Sequence, residues 1–197
     1  PSLAATLPVW DEMMAATGGY VAKCRAEYIR QLDLAAGRIY EEISGGQEKI
    51  KLLYLNQFSK DEKTEEQYGE LIRERLEKTR GRDIENGMTG SGVHKDDILI
   101  MIGGKSAKFF ASQGQIRSVA LSVKLGEAVI SEARTGEMPV ILLDDIFSEL
   151  DGNRQKFIMD HTLKNQCIVT TCEPEKMRYP GAATLFIKKG EIQCTST

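Results

Sequence analysis

Two adjacent carboxylates, Asp144 and Asp145, follow the short apolar run Pro139-Val140-Ile141-Leu142-Leu143. A run of this kind bounded by turn residues reads as a buried strand, and in an α/β sheet the carboxyl ends of central strands face the ligand crevice. Asp144 can there hold Mg²⁺ directly or through water, because Mg²⁺ prefers hard oxygen ligands and keeps its hydration. Asp145 follows where a carboxylate can orient or activate water against a γ-phosphate. The plainer reading is two acids that end a strand beside a turn. Upstream, Ser112-Gln113-Gly114-Gln115 forms a small turn leading into a predicted amphipathic helix over 115–135. Its backbone N–H groups and serine hydroxyl precede a helix terminus of partial positive charge, an anion site in the making. Gly114 lets a phosphate approach the backbone. An N-cap serine accounts for the turn by itself, but not for its place one helix ahead of the Asp pair. Ser148-Glu149-Leu150-Asp151 then opens the next predicted helix.

Other elements must position these residues. Trp10, Met14, Val21, Cys24, Tyr28, Leu32, Ala35, Ile39 and Ile43 recur at spacings of three, four or seven, which predicts one long helix over 10–43. Pro8 stands just ahead of it, and Gly18-Gly19 weakens its middle and is a place for a kink. Ser44-Gly45-Gly46-Gln47 stops the helix, and 49–55 reads as a strand. A second helix carries Tyr68, Leu71, Ile72 and Leu76 beneath a charged face. The glycines of 81–92 mark a domain boundary. Beyond it, 98–102 and 108–110 read as strands joined by Gly103-Gly104. The rest is a strand at 139–144, a helix at 152–164, a strand at 166–171 and a closing hairpin at 183–194. The alternation predicts an α/β layer with at least two parallel strands.

Two look-alikes fail on context. Ile43-Ser44-Gly45-Gly46-Gln47 resembles an ABC signature, but it ends a helix and leads into a strand, so no helix N-terminus points at a ligand. Gly104-Lys105-Ser106 resembles the end of a phosphate-binding loop, but Leu99 stands where its first glycine is required, and strand residues follow.

Hydrophobic residues make up 41% and charged residues 28% of the 197 residues, which suits a folded chain with room for one large domain or two small ones. The formal net charge of −3 gives no overall positive field, so nucleic-acid contact must come from a local patch. Arg73, Arg80, Arg82 and Lys95 are the candidates. Cys24, Cys167, Cys172 and Cys194 lack zinc-ligand spacing and read as reduced cysteines. No membrane-spanning run or signal peptide is legible, and the chain is expected in the cytoplasm.

With these motifs in hand, the chain resembles the RecF family, bacterial recombination-mediator ATPases related to the SMC and Rad50 heads. The resemblance covers nearly the whole chain. VWDEMMAATGGYVAKCRAEYIRQL resembles the start of the family's helical arm. SGVHKDDILIMIGGKSAKFFASQGQIRSVALSVKL resembles its return to the ATPase head, and ILLDDIFSELDGNRQKFI its Walker B and D-loop segment. The expected fold class is α/β, with a mainly helical arm at 1–90 and the C-terminal part of an ABC-type ATPase head at 91–197. The resemblance makes Ser112, Gln113, Gly114 and Gln115 a signature that reaches the partner's ATP across a head-to-head homodimer. It makes Asp144 the Mg²⁺-associated acid, Asp145 the catalytic carboxylate, and Ser148 and Asp151 parts of the D-loop. Many ABC relatives carry the longer Glu at the Asp145 position. The shorter acid suits slow, switch-like hydrolysis. Thr170-Thr171-Cys172 lies where relatives carry a switch histidine, and no histidine is there. The family's Walker A loop has no counterpart in these residues, so the expectation is a truncated member that does not hydrolyse ATP alone. By the same resemblance the full protein binds duplex DNA near single-strand gaps with RecR and RecO and helps load RecA, with no membrane partner. The reading from another class is a nucleotide-independent module whose arm docks a repair protein. A transporter nucleotide-binding subunit fits poorly, given the helices before the signature and the Asp-Asp pair.

Overall fold

Leu3–Ile43 forms one 41-residue helix, α1, in the computed structural model, which describes residues 3–146, 150–162, 166–172 and 182–194. The helix begins ahead of the expected start and takes Pro8 inside it. Proline's fixed φ is helical, and so near the N-terminus its missing N–H costs one bond in the second turn. The buried stripe is Ala15, Ala22, Ala26, Ile29, Leu32, Ala36, Ile39 and Tyr40, whereas Trp10 is 59% exposed and Cys24 lies at the surface. The large apolar residues therefore mark the stripe only in part, because the packed face is built of small residues.

The glycines explain why. A Cβ on Gly19 would lie 2.5 Å from the carbonyl oxygen of Glu65 and 2.9 Å from the Gly69 nitrogen, so a second helix crosses there almost backbone to backbone. Gly18-Gly19 thus serves a crossing and interrupts nothing; α1 runs through it. That second helix, α2, spans Glu65–Asn86. It opens on a capping box, in which the Gln67 N–H donates to Thr64 Oγ1 at 3.3 Å and the Thr64 N–H donates to Gln67 Oε1 at 3.0 Å. At the other end of α1, the Gly46 N–H reaches the Glu41 carbonyl at 2.7 Å and the Gly45 N–H that of Glu42 at 3.1 Å. Both glycines have positive φ. This is the Schellman C-cap that the sequence reading of Ser44–Gln47 requires.

Strand β1, Ile50–Leu55, pairs antiparallel with β2, Asp97–Ile102, from Ile50↔Ile102 to Leu55↔Asp97. Gly103 and Gly104, both at positive φ, turn β2 into the two-residue β3, Lys105–Ser106, which makes Gly104-Lys105-Ser106 a hairpin. Residues 108–110, expected as a strand, instead lie in the short helix α3, Ala107–Phe110. Three apolar residues cannot distinguish the two periods. Helix α4, Gln113–Thr135, packs on the C-terminal half of α1, where a Cβ on Gly126 would meet the Ala36 nitrogen at 3.0 Å. Ile29, Leu32, Ala36 and Tyr40 of α1, Ile50 and Leu52 of β1, Ile102 of β2, and Val119 and Ile130 of α4 form one core.

One polar residue sits in that stripe. Asp33, 9% exposed, accepts the Leu52 N–H at 2.7 Å and pairs with Lys51 Nζ. It caps the outer edge of β1, which would otherwise present free N–H groups for another strand. Asp33→Ala leaves the Leu52 N–H without its acceptor. The expected loss is about 2 kcal/mol, read from the urea midpoint at unchanged slope.

The chain divides into two compact units, 1–139 and 140–197, and not at the glycines of 81–92 as expected. Helix α2 runs through Gly81, and β2 beyond the stretch pairs with β1 before it, so the glycines lie inside one unit. In the second unit β4, Ile141–Asp144, and β5, Cys167–Thr170, are parallel neighbours, with helix α5, Gly152–Thr162, between them in sequence. Strands β6, Leu185–Lys188, and β7, Glu191–Cys194, form a hairpin. The parallel pair bears out the α/β reading.

Candidate functional site

Asp144 ends β4 and stands in register with Thr170 at the end of β5. The Thr170 hydroxyl donates to Asp144 Oδ1. The same Oγ1 accepts the Asp145 N–H at 3.1 Å, and the Thr170 carbonyl accepts it at 3.2 Å. Thr170 therefore holds both acids, which sequence reasoning missed. The signal was present: a hydroxyl residue ending the strand that must lie parallel to β4. Asp145 has φ of 48°, a left-handed conformation that aspartate tolerates better than most residues. A backbone turned this way at the carboxyl end of a strand re-aims the side chain, and the threonine bonds hold the turn. Thr170→Val keeps the strand's shape but removes the hydroxyl. Amide hydrogen exchange at Asp145 is expected to rise about fivefold, the value of one ordinary hydrogen bond.

Asp144 and Asp145 are both exposed. Among the described residues no three His, Cys, Asp or Glu side chains are arranged to hold a metal. The donor set of Asp144 with neighbouring oxygens still suits Mg²⁺, which binds through one or two carboxylates, water and substrate phosphates. Asp151 caps α5, since its Oδ1 accepts the Arg154 N–H at 3.0 Å and its carbonyl accepts the Gln155 N–H at 2.9 Å. Ser148 lies outside the described residues.

In the first unit, Ser112 is the N-cap of α4. The Gln115 N–H donates to Ser112 Oγ at 3.2 Å and the Ser112 N–H donates to Gln115 Oε1 at 2.8 Å, a complete capping box. The other end of the Gln115 amide donates to Glu48 Oε1 at 2.7 Å, and Glu48 Oε2 accepts the Tyr40 hydroxyl at 2.9 Å. Gln115 is thus turned toward the protein, where its bonds to Ser112 and Glu48 hold the turn. The Ser44–Gln47 turn, set aside as a look-alike, leads directly to the Glu48 that anchors it. Ser112 and Gln113 are exposed at the positive end of a 23-residue helix. Phe109 (75% exposed) and Phe110 (70%) precede the turn and Ile116 (51%) follows it.

An apolar strand ending in a held acid pair, and a capped serine-glutamine-glycine turn opening a long helix, can be compared with known proteins. Curated DNA replication and repair proteins RecF match the chain almost end to end. That of Ruminiclostridium cellulolyticum is 38% identical over 176 residues, 89% of this chain and 47% of the relative. That of Streptococcus pyogenes is 36% identical over 197 residues, 98% of this chain and 53% of the relative. A solved structure of the recombination mediator protein RecF-ATPrS in the RecFOR pathway superposes with a TM-score of 0.84 at 34% identity, covering 97% of this chain and 51% of that one. The RecF-ATP structure does so with a TM-score of 0.83 at 33% identity. The chain belongs to the RecF family. No protein-family model matches it. The chain spans about half the length of the RecF proteins it matches.

The candidate DNA-contacting cations of this RecF-family chain fall into two groups. Arg73 makes a two-pronged pair with Glu12 at 2.8 and 2.7 Å, which holds the Glu12 carboxyl below the usual range. Arg80 donates from Nε and Nη2 to a single oxygen, Asp11 Oδ2, at 3.1 and 2.8 Å. Their charge is matched by acids of α1, to which they tie α2. Arg82 and Lys95 are exposed. Among the described residues no helix is long and apolar enough to cross a membrane.

Proposed function

We propose that this chain is the arm and C-terminal head portion of a RecF ATPase acting in DNA replication and recombinational repair. In this reading the exposed Ser112-Gln113-Gly114 turn binds the γ-phosphate of ATP held by a second copy, Asp144 holds the accompanying Mg²⁺, and Asp145 orients the attacking water. Asp151 and Ser148 belong to the D-loop of that interface. The observation that carries the reading is the coordinated support of the two acids by Thr170 at the carboxyl end of a parallel strand, in a chain matching RecF over nearly all its length. Phe109, Phe110 and Ile116 favour the homodimer, because exposed apolar side chains beside an anion-binding turn suit coverage by a partner.

The phosphate cradle and its lysine are left to the part of RecF to which this chain has no match. Leu142 (70% exposed) and Ile168 (55%), opposite one another in the parallel pair, fit that division, since parallel strands are ordinarily covered on both faces. Duplex DNA near single-strand gaps, RecR, RecO and RecA are the proposed partners of the whole protein. Arg82 and Lys95 are the more available of its candidate cations, since Arg73 and Arg80 are paired with acids of α1.

Nucleotide titration of the chain, alone and with the N-terminal half of a RecF protein supplied separately, tests the reading. The expected result is no turnover by the chain alone, with Mg²⁺-dependent ATP hydrolysis and dimerisation on addition of the second half. Turnover by the isolated chain, or reconstitution indifferent to ATP, sinks it; the latter favours the interaction module.

A further inference from the structure

A threonine hydroxyl carries one proton, and its oxygen can also accept. At Thr170 both capacities are spent on the acid pair. The Asp145 main-chain N–H can only donate, and it reaches Thr170 Oγ1 at 3.1 Å. The hydroxyl proton is left for a second partner, and it goes to Asp144 Oδ1. The direction of this short series is therefore set, from the Asp145 N–H through Thr170 Oγ1 to the Asp144 carboxylate. Hydrogen bonds in series polarise one another, so each strengthens its neighbour.

The series engages one oxygen of Asp144 and leaves the other. Among the described residues Asp144 Oδ2 has no hydrogen-bond partner, and the residue is exposed. An aspartate carboxylate turns easily about its last torsion, which has broad, two-fold preferences. Here Oδ1 is held from the neighbouring strand, at the register position where Asp144 and Thr170 stand side by side. Oδ2 is thereby presented in one orientation. Partners that hold a metal ligand in place in this way typically contribute 10–100-fold to metal affinity.

We propose that Thr170 is a positioning residue for both acids at once: its hydroxyl fixes the Asp144 carboxylate so that Oδ2 is offered to Mg²⁺, and the same oxygen ties the Asp145 turn to that carboxylate. The inference rests on the reading that Asp144 holds the ion. Loss of the hydroxyl loosens ligand and turn together, whereas loss of the methyl group touches neither. The turn keeps its second bond, from the Asp145 N–H to the Thr170 carbonyl at 3.2 Å. The metal ligand has no such reserve, so metal affinity should show the larger effect.

Mn²⁺ suits the same oxygen ligands and serves as probe, titrated into the 197-residue chain and counted by loss of the free-ion electron paramagnetic resonance signal. The expected result is a site from which Mg²⁺ displaces the probe and which Asp144→Asn removes. Thr170→Val should bind Mn²⁺ about tenfold more weakly. Thr170→Ser should restore the parent affinity, because it keeps the hydroxyl. If Thr170→Val disturbs the strand pair by circular dichroism, Thr170→Ser against Thr170→Ala gives the same comparison, since those two differ in the hydroxyl alone. Binding that Asp144→Asn leaves unchanged, or no binding by the parent chain, overturns both the metal reading and the inference built on it. Binding lost in Asp144→Asn but untouched by Thr170→Val overturns the inference alone. So does a loss in Thr170→Val that serine fails to restore.

Discussion

Gly19→Ala should destabilise the protein by about 2 kcal/mol, and Gly19→Leu by about 3 kcal/mol or more, in the range of overpacked cores. Helix propensity alone predicts the opposite sign, because alanine is favoured over glycine inside a helix by about 1 kcal/mol. The crossing decides the matter: the added Cβ would meet the Glu65 carbonyl oxygen at 2.5 Å and Gly69 backbone at 2.9 and 3.1 Å. Neither can swing aside as a side chain tip does, so α2 must move away from α1. That displacement loosens Ala15, Ile72 and Leu76, the small core this crossing closes. Gly37→Ala, in the same helix with nothing within 4 Å of its added Cβ, is the internal control and should stabilise by about 1 kcal/mol. Urea unfolding of the two alanine variants reads the difference directly. Shifts of the same sign would show that the two helices do not meet backbone to backbone at Gly19.

Asp145→Asn is expected to lower ATP turnover at least about a hundredfold once the chain is joined by the phosphate-binding half. Asparagine occupies left-handed backbone as readily as aspartate does, so the substitution removes the charge and leaves the turn at φ 48° intact. Both bonds to Thr170 come from the Asp145 main-chain N–H and survive the change. Nucleotide affinity and ATP-dependent dimerisation should therefore persist while phosphate release stops, a separation that misfolding cannot produce. Steady-state phosphate release beside equilibrium nucleotide binding checks it. A variant that hydrolyses ATP at the parent rate would remove Asp145 from the water-orienting role.

Much of the architecture was legible because local chemistry and final structure agree. The caps at Thr64 and Ser112, the stop at Gly45-Gly46 and the Gly103-Gly104 hairpin each depend on residues a few positions apart, so sequence spacing carries the information. The acid pair was legible for the same reason, as an apolar run ending abruptly in charge. The buried face of α1 was harder. Its alanines leave little hydrophobic signal, and their burial depends on Gly69 of α2 and Gly126 of α4, remote in sequence. The boundary at 81–92 failed because glycine content reports backbone freedom, whereas unit membership is set by which strands pair, and β1 pairs across that stretch.

The sequence by itself determined the likeness to RecF, the α/β class, and the order of the serine-glutamine-glycine turn and the acid pair. Only tertiary structure decided how those positions are held. It made Thr170 the support of both acids, turned Gln115 inward onto Glu48, matched Arg73 and Arg80 with acids of α1, and left Asp96 Oδ1 buried without a donor. Each of these follows from which groups far apart along the chain are brought together. Spacing fixes which residues share a turn or a helix face; which distant groups then meet is set by packing, where helices close to backbone contact at glycines and strands choose their neighbours.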